Sequence, residues 1–301
     1  MIMTEYSPIT LFVYNRPDHL IRTIEALQEN DLADKSDLYI FSDAAKTEED
    51  ADSVNEVRKY IRKVEGFRTI SIIERRANMG LSNSIITGVT EICNKHGRVI
   101  VLEDDLITSR YFLQYMNDGL RIYDGDKKVI SIHGYIYPLN AKLPETYFLR
   151  GADCWGWATW KDRWIRFEPD GLKLLNGIIE NNLVEKFNYG NSSDYTGMLK
   201  EQISGKKDSW AIRWHATAFI RNNFTLYPGE SLVSNIGNDG SGTHSRKSMV
   251  YEQTLAMEPV VVNKIPVEEN EVVVEHISTY FKKLKKPIYK SIIDKILGMD
   301  I

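Results

Sequence analysis

The chain has 301 residues, 43% of them hydrophobic, and a formal net charge of −4 at pH 7. This size allows one large core or two modest ones, and the negative charge argues against a nucleic-acid-binding protein. The two cysteines, Cys93 and Cys154, offer neither a disulfide framework nor zinc-ligand spacing, which fits a reducing compartment. Because neither a secretion signal nor a membrane-spanning apolar stretch is visible, we expect a cytoplasmic enzyme.

The first hundred residues alternate between predicted strands and helices. Apolar runs predict strands at residues 9–14, 37–42 and 69–73, and helical periodicity predicts helices around 20–27, 54–61 and 82–95. We expect Asp18 to cap the first helix and Gly97 to end the third as its C′ residue. This alternation predicts an α/β fold with a mostly parallel sheet and helices on both faces.

The fourth predicted strand ends in three consecutive carboxylates. Residues 98–105 read Arg-Val-Ile-Val-Leu-Glu-Asp-Asp, so Glu103, Asp104 and Asp105 should lie at the carboxyl end of a buried parallel strand. Open α/β sheets bind ligands at that edge. Three adjacent carboxylates repel one another, and a divalent cation such as Mn²⁺ or Mg²⁺ would offset them with help from substrate phosphates. The alternative is a solvated acidic turn.

The pattern becomes less regular after Asp105. We expect a helix at 111–123 and a strand at 129–135, and then an aromatic-rich region follows. All six tryptophans lie between Trp155 and Trp214, which indicates either a packed subdomain or surfaces that stack on sugars. We divide the chain into two halves of one domain, residues 1–105 and 106–250, and a C-terminal extension, residues 251–301.

The C-terminal extension closes with a basic amphipathic segment. Lysines alternate with apolar residues over positions 280–297. Such a segment could lie on an anionic membrane surface, or it could be a terminal helix that docks on the protein's own core. The sequence leaves both open.

These features together resemble the GT-A fold of nucleotide-sugar glycosyltransferases, and more narrowly the family of N-acetylglucosaminyltransferase I and related bacterial transferases. The likeness covers roughly residues 9–246. It includes Asn15-Arg16 after the first strand, Ser42-Asp43 at the end of the second, and Glu103-Asp104-Asp105-Leu106. The resemblance implies a Rossmann-like sheet, an irregular acceptor-side half and a C-terminal helix.

The resemblance also implies which residues would bind the nucleotide-sugar. Arg16 and Asp43 would contact the nucleotide, with Asp43 addressing the uracil ring. Asn78, in the Asn-x-Gly element that ends at Gly80, would lie beside the nucleotide together with Ser82.

The acidic triplet and a later histidine would contact the ribose, the transferred sugar and the metal. By the same resemblance, Asp105 would ligate Mn²⁺, while Asp104 and Glu103 would lie nearer the ribose and the transferred sugar. His244, in a glycine-bearing loop, would cover the diphosphate or the metal.

The acceptor side matches the family less closely. Cys154-Trp155-Gly156-Trp157 resembles a Gly-x-Gly-Trp segment with a cysteine in place of the first glycine. Asp208, followed by Ser209-Trp210, stands where the family has its catalytic base. We therefore expect Asp208 to be the base and Trp155, Trp157 and Trp210 to contact the acceptor.

The function that follows is a metal-dependent, inverting glycosyltransferase that uses a UDP-sugar and a glycan or lipid-linked saccharide acceptor to build a bacterial surface glycan. A sugar nucleotidyltransferase is one alternative, but residues 14–17 are not its usual glycine-rich basic loop. A non-catalytic carbohydrate-binding module with a structural cation is another. A glycoside hydrolase that uses Asp105 and Asp208 is the third.

Overall fold

The computed structural model describes residues 6–240 and 250–285 and shows an α/β fold with a large, mostly parallel central sheet flanked by helices. The strands are β1 (Ile9–Val13), β2 (Asp37–Ser42), β3 (Thr69–Glu74), β4 (Arg98–Glu103), β5 (Leu106–Thr108), β6 (Val129–His133), β7 (Thr146–Arg150), β8 (Trp157–Trp160), β9 (Phe224–Pro228) and β10 (Val233–Asn235). The helices are α1 (Pro17–Gln28), α2 (Ala51–Ile61), α3 (Gly80–His96), α4 (Phe112–Ile122), α5 (Lys161–Trp164), α6 (Gly171–Glu180), α7 (Val184–Phe187), α8 (Tyr195–Ile203), α9 (Trp210–Ile220) and α10 (Glu271–Leu284).

Eight strands form the central sheet in the spatial order β3-β2-β1-β4-β8-β6-β9-β7. The first four are mutually parallel, and β8 and β7 run antiparallel to their neighbours. β5 and β10 form a separate antiparallel pair. The predicted alternation of strands and helices up to β4 is confirmed, as are the helix and the strand predicted after it, whereas the short strand β5 between β4 and α4 was not predicted.

Both faces of the parallel half are covered, which explains its continuous apolar strands. On β4, Ile100 and Leu102 pack in the core that contains α1 and α2, whereas Val99 and Val101 pack in the core that contains α3. All four side chains are at most 1% exposed. Successive residues of a strand point to opposite faces, so a strand buried on both sides has no polar break.

Local signals set most helix ends in this half, with one correction. Gly97 ends α3 in a left-handed conformation (φ 79°), and its N–H donates to the Cys93 carbonyl at 2.8 Å, as predicted. The predicted N-cap, Asp18, instead lies inside the first turn of α1, which begins at Pro17. Proline needs no N–H partner and has its φ already set for a helix, so the helix begins at Pro17 with Arg16 as N-cap, two residues before the predicted position.

The C-terminal helix α10 docks on the protein. Val273, Ile277 and Phe281 are buried in a cluster that also contains Tyr147 and Tyr189. The described part of residues 280–297 is therefore a docked helix, and positions 286–297 lie outside the described residues. Within residues 6–240 and 250–285, no helix is long and apolar enough to cross a membrane.

Candidate functional site

The loop after β1 is held by an aspartate that the sequence analysis did not identify. Tyr14 donates from its hydroxyl to Asp50 Oδ2 at 2.9 Å, and Asn15 donates from its amide to Asp50 Oδ1 at 2.8 Å. Asp50 stands directly before α2, so the two βα loops are joined. These bonds fix the turn that leads into Arg16 and α1.

Arg16 meets the acidic triplet at the carboxyl edge of the sheet. β1 and β4 are parallel neighbours with Phe12 opposite Glu103, so the residues that follow the two strands emerge side by side. The Arg16 guanidinium pairs with Asp104 and, at 2.9 Å, with Asp105 Oδ2. Asp104 is 4% exposed and also accepts the Tyr14 N–H at 3.2 Å.

The triplet carries more negative charge than Arg16 balances. Burial raises the pKa of Glu103 well above its usual range, and the Asp105 and Asp104 charges raise it further. Burial also raises the pKa of Asp104, although Arg16 opposes the effect. Burial lowers the pKa of Arg16, but Asp104 and Asp105 outweigh it and hold that pKa above the ordinary value. Three carboxylates thus share one guanidinium in a poorly solvated setting.

The small sheet of β5 and β10 places a glycine directly against this site. Asn235 pairs with Leu106, and Ile236 donates its N–H to the Asp105 carbonyl at 2.9 Å. A Cβ on Gly237 would lie 2.1 Å from Asp105 Oδ2. Only glycine allows this close approach of the backbone to the carboxylate. Gly237 was not predicted from the sequence, and the pairing of β10 with the strand after the triplet is what places it here.

The segment after Gly237 connects back to α1. Asp239 Oδ2 lies 3.1 Å from His19 Nε2. Neither residue was predicted from the sequence to have a role. The predicted diphosphate and metal ligand His244 lies outside the described residues.

The donor set fits a hard divalent cation that takes only part of its coordination from the protein. In the described ranges, no group of three or more His, Cys, Asp or Glu side chains is placed to hold a metal. Mg²⁺ and Mn²⁺ in nucleotide sites commonly use one or two carboxylates, with substrate phosphates and water supplying the rest. Asp105 is better placed than Asp104, with 15% side-chain exposure against 5%.

Asp43 and Asn78 lie where β2 meets the start of α3. The Asp43 carboxylate accepts the N–H groups of Met79 at 2.9 Å and Gly80 at 3.0 Å. The Asn78 amide donates to the Ala44 carbonyl at 2.7 Å. These bonds fix the Asn-x-Gly loop against the carboxyl edge of the sheet, one strand away from Arg16.

Asp208 and Ser82, predicted from distant parts of the chain, share one arginine. Arg213 Nη2 donates to Ser82 Oγ at 2.5 Å and to Asp208 Oδ1 at 3.1 Å. Ser82 is buried near the start of α3, whereas the Asp208 side chain is 63% exposed. Arg213, which the sequence analysis did not single out, therefore ties the proposed base to the edge that carries Asp43.

The tryptophans divide into core residues and one accessible residue. Trp157 and Trp210 stack on each other at 5.4 Å between ring centroids and are 0% and 3% exposed. Their rings are covered by the α3-side core, so the predicted acceptor contacts at these two positions are replaced by a packing role. Trp155 is partly exposed and packs edge-on against Tyr135 at 4.7 Å.

Comparison with known proteins adds two solved structures. The chain matches no protein-family model and no curated protein sequence. It is similar to a mannosyltransferase, PcManGT from Pyrobaculum calidifontis, in complex with GDP-Man and Mn²⁺, at 15% identity and a TM-score of 0.33, over 44% of this chain and 36% of that one. It is also similar to S. aureus TarS, at 12% identity and a TM-score of 0.31, over 48% of this chain and 24% of that one.

Proposed function

We propose that this protein is a metal-dependent glycosyltransferase of the GT-A type that moves a sugar from a UDP-sugar to a hydroxyl group of a glycan or lipid-linked saccharide. One observation carries the proposal: Arg16 and three consecutive carboxylates meet at the carboxyl edge of four parallel strands. Open α/β sheets bind ligands at this edge. A divalent cation would offset the excess carboxylate charge, and the diphosphate of a nucleotide would bind that cation beside the arginine.

The residues around this edge have distinct proposed roles in donor binding. Asp105 holds the cation together with diphosphate oxygens. Asp104 and Glu103 lie toward the ribose and the transferred sugar, with Arg16 as their counter-charge. Asp43 addresses the base. Asn78 and Ser82 support the donor through the loop and helix that begin beside Asp43. His244, which lies outside the described residues, is the further candidate ligand for the diphosphate or the metal.

The proposed reaction is a direct displacement that inverts the anomeric centre. The acceptor oxygen forms a bond to the anomeric carbon while the bond from that carbon to the diphosphate oxygen breaks. The hydroxyl proton passes to the Asp208 carboxylate, which acts as general base. When bound, the cation neutralises the charge that develops on the leaving diphosphate. The product would be a bacterial surface glycan.

The surroundings of Asp208 support its proposed role. Its carboxylate is exposed to an incoming acceptor, and Arg213 fixes one of its oxygens. Arg213 is itself held by Ser82 and by the Ser209 and Pro169 carbonyls. A carboxylate that is both exposed and fixed in position suits proton transfer from an acceptor hydroxyl.

A donor-turnover assay tests this function. The wild type is incubated with Mn²⁺, a panel of UDP-sugars and GDP-mannose, and methyl glycosides as acceptors, and free nucleotide and glycosylated product are quantified. Asp208→Asn should lower transfer by at least ~10², the lower end for a general base, with nucleotide affinity unchanged. Asp34→Asn, an exposed aspartate before β2 at the opposite edge, is the control. Wild-type protein that turns over no donor, or near-normal transfer by Asp208→Asn, would contradict the proposal or the role of Asp208, respectively.

A further inference from the structure

A second group of polar side chains surrounds Asp153, in the segment between β7 and β8. We name it the Asp153 cluster: Asp153, His133, His215, Tyr147 and Tyr227. The Tyr227 hydroxyl donates to Asp153 Oδ2 at 2.9 Å, and His215 Nδ1 lies 3.7 Å from Asp153 Oδ1. The Tyr227 ring also contacts those of His133 at 5.0 Å and Tyr147 at 6.0 Å between centroids.

Several polar atoms of the cluster have no partner among the residues that the structure describes. These atoms are both ring nitrogens of His133, Nε2 of His215 and the hydroxyl of Tyr147. The three residues are 1%, 3% and 1% exposed. Leaving one such group unsatisfied costs about 1–3 kcal/mol, so several around one carboxylate indicate that they face a polar occupant.

The hydrogen-bonding chemistry of the cluster is that of a neutral, hydroxyl-bearing ligand. Burial lowers the pKa of His133 to about 4 and also lowers that of His215, so both imidazoles are neutral at pH 7. A neutral imidazole offers one donor and one acceptor, a phenol can do both, and a carboxylate accepts. Sugar hydroxyls both donate and accept, whereas the cluster has no cationic side chain to hold a phosphate or a carboxylate.

The segment that carries Asp153 lies beside the carboxyl end of β4. β8 runs antiparallel to β4 with Trp157 opposite Val101, so the residues before Trp157 pass the end of β4 where Glu103 stands. Burial raises the pKa of the Cys154 thiol, and the charges of Glu103, Asp153 and Asp105 raise it further. Asp153, Cys154 and Trp155 are partly exposed, whereas the two histidines and two tyrosines of the cluster are buried, so a ligand would enter from the Asp153 side beside the Trp155 ring.

We propose that the Asp153 cluster is the subsite that binds a monosaccharide unit of the acceptor. Asp153, Tyr147 and the two imidazoles hydrogen-bond the sugar hydroxyls, and Trp155 packs against the ring of the sugar. This inference rests on the proposed function and names the chemistry of its acceptor site. It also replaces the buried Trp157 and Trp210 as acceptor contacts.

Saturation-transfer NMR with a defined panel tests this subsite. The probes are methyl α- and β-glycosides of glucose, galactose, mannose, rhamnose and N-acetylglucosamine, each with protein that holds Mn²⁺ and UDP or GDP. At least one glycoside should bind the wild type. Asp153→Asn should lower the affinity for that glycoside at least tenfold, while its affinity for the nucleotide changes less than twofold. Asp34→Asn should bind as the wild type does.

Tyr147→Phe separates binding from folding. The Tyr147 hydroxyl has no partner within the described residues, so its removal should leave the melting temperature unchanged or raise it. The same variant should have a lower affinity for the glycoside that the wild type binds. Wild type that binds nucleotide but none of the glycosides, or full glycoside binding by both variants, would overturn the subsite. Wild type that binds neither nucleotide would instead contradict the proposed function.

Discussion

Among the residues that the structure describes, Arg16 is the one side chain that forms ion pairs with the acidic triplet, so its loss should lower the stability of the protein. Arg16→Met leaves Asp104, which is 4% exposed, without its ion-pair partner. Breaking a buried pair from one side typically costs about 3–5 kcal/mol, and we expect a loss near the lower end because the Arg16 side chain is 20% exposed.

A double-mutant cycle measures this pairing. Urea denaturation of Arg16→Met, Asp104→Asn and the double variant should show that Asp104→Asn recovers more than half of the Arg16→Met loss. If the double variant instead lost the sum of the unfolding free energies that the two single variants lose, the two side chains would not stabilise each other.

His133 should make the protein sensitive to acid. Its pKa is lowered to about 4 by burial, below an unfolded value near 6.5. The unfolded state therefore takes up a proton first, and stability falls as the pH drops from about 6.5 toward 4. The rings of Tyr135 and Tyr227 contact the His133 ring, and the charge of Asp153 partly opposes the lowering of its pKa.

The His133 contribution can be isolated by difference. Between pH 7.5 and 4.5, the wild type should lose about 2 kcal/mol more unfolding free energy than His133→Gln, because one pKa unit corresponds to about 1.4 kcal/mol. His215 titrates in the same direction but is present in both proteins, so it largely cancels. Parallel stability curves for the two proteins would show that His133 is protonated equally in both states.

At the scale of elements, β10 is responsible for placing a backbone against the acidic triplet. Gly237→Ala would put a methyl group 2.1 Å from Asp105 Oδ2, so either the loop after β10 or the Asp105 carboxylate, which is paired with Arg16, must move. We expect at least tenfold weaker binding of UDP with Mn²⁺, measured by titration calorimetry.

The matched control for this change is Gly125→Ala. A Cβ at Gly125 meets nothing within 4 Å, and its φ is not in the left-handed range. This variant should bind UDP with Mn²⁺ as the wild type does. If Gly237→Ala binds equally well, the loop does not contribute to the donor site.

The elements that were predictable from sequence are those whose signal is local. The apolar run of β4, the periodicity of α3 and the glycine at its end each lie within a short window, so the acidic triplet was placed correctly at a strand end. The approach of Gly237 to Asp105 depends on pairing between three-residue strands more than a hundred positions apart. No local pattern carries that information.

The same limit explains the tryptophans and Arg213. The positions of the tryptophans along the chain show that they cluster but do not tell a buried ring from an exposed one. Trp157 and Trp210 are buried. Arg213 bridges Ser82 and Asp208 across 131 residues, a link that only the tertiary fold makes.

At the scale of the whole molecule, α10 closes the antiparallel end of the sheet beside the Asp153 cluster. Phe281 is 7% exposed and contacts the rings of Tyr137 and Tyr189. Phe281→Ala should cost about 3–5 kcal/mol in unfolding free energy, measured by denaturant titration. Val272→Ala on the same helix, where the side chain is 64% exposed, should change it by less than about 0.5 kcal/mol. Equal effects would mean that α10 does not dock as described.

The two ends of the molecule have different proposed tasks. The parallel half ends in the Arg16 site for the donor, and β8, which pairs with β4, follows directly on the segment that carries Asp153. A single continuous sheet thus holds the donor edge and the proposed acceptor subsite in one frame. This arrangement suits a reaction that must align two substrates within a bond length.

The most direct test of the account is a thermal-shift panel of UDP, GDP, CMP and dTDP, each with and without Mn²⁺, on the wild type and on Asp105→Ala. A ligand at 100 times its Kd adds about 2.7 kcal/mol of stability, which raises the melting temperature by a few degrees in a protein of this size. We predict a rise with UDP that requires Mn²⁺ and is lost in Asp105→Ala. No rise with any nucleotide, or an equal rise in Asp105→Ala, would contradict a metal-dependent nucleotide-sugar site at the acidic triplet.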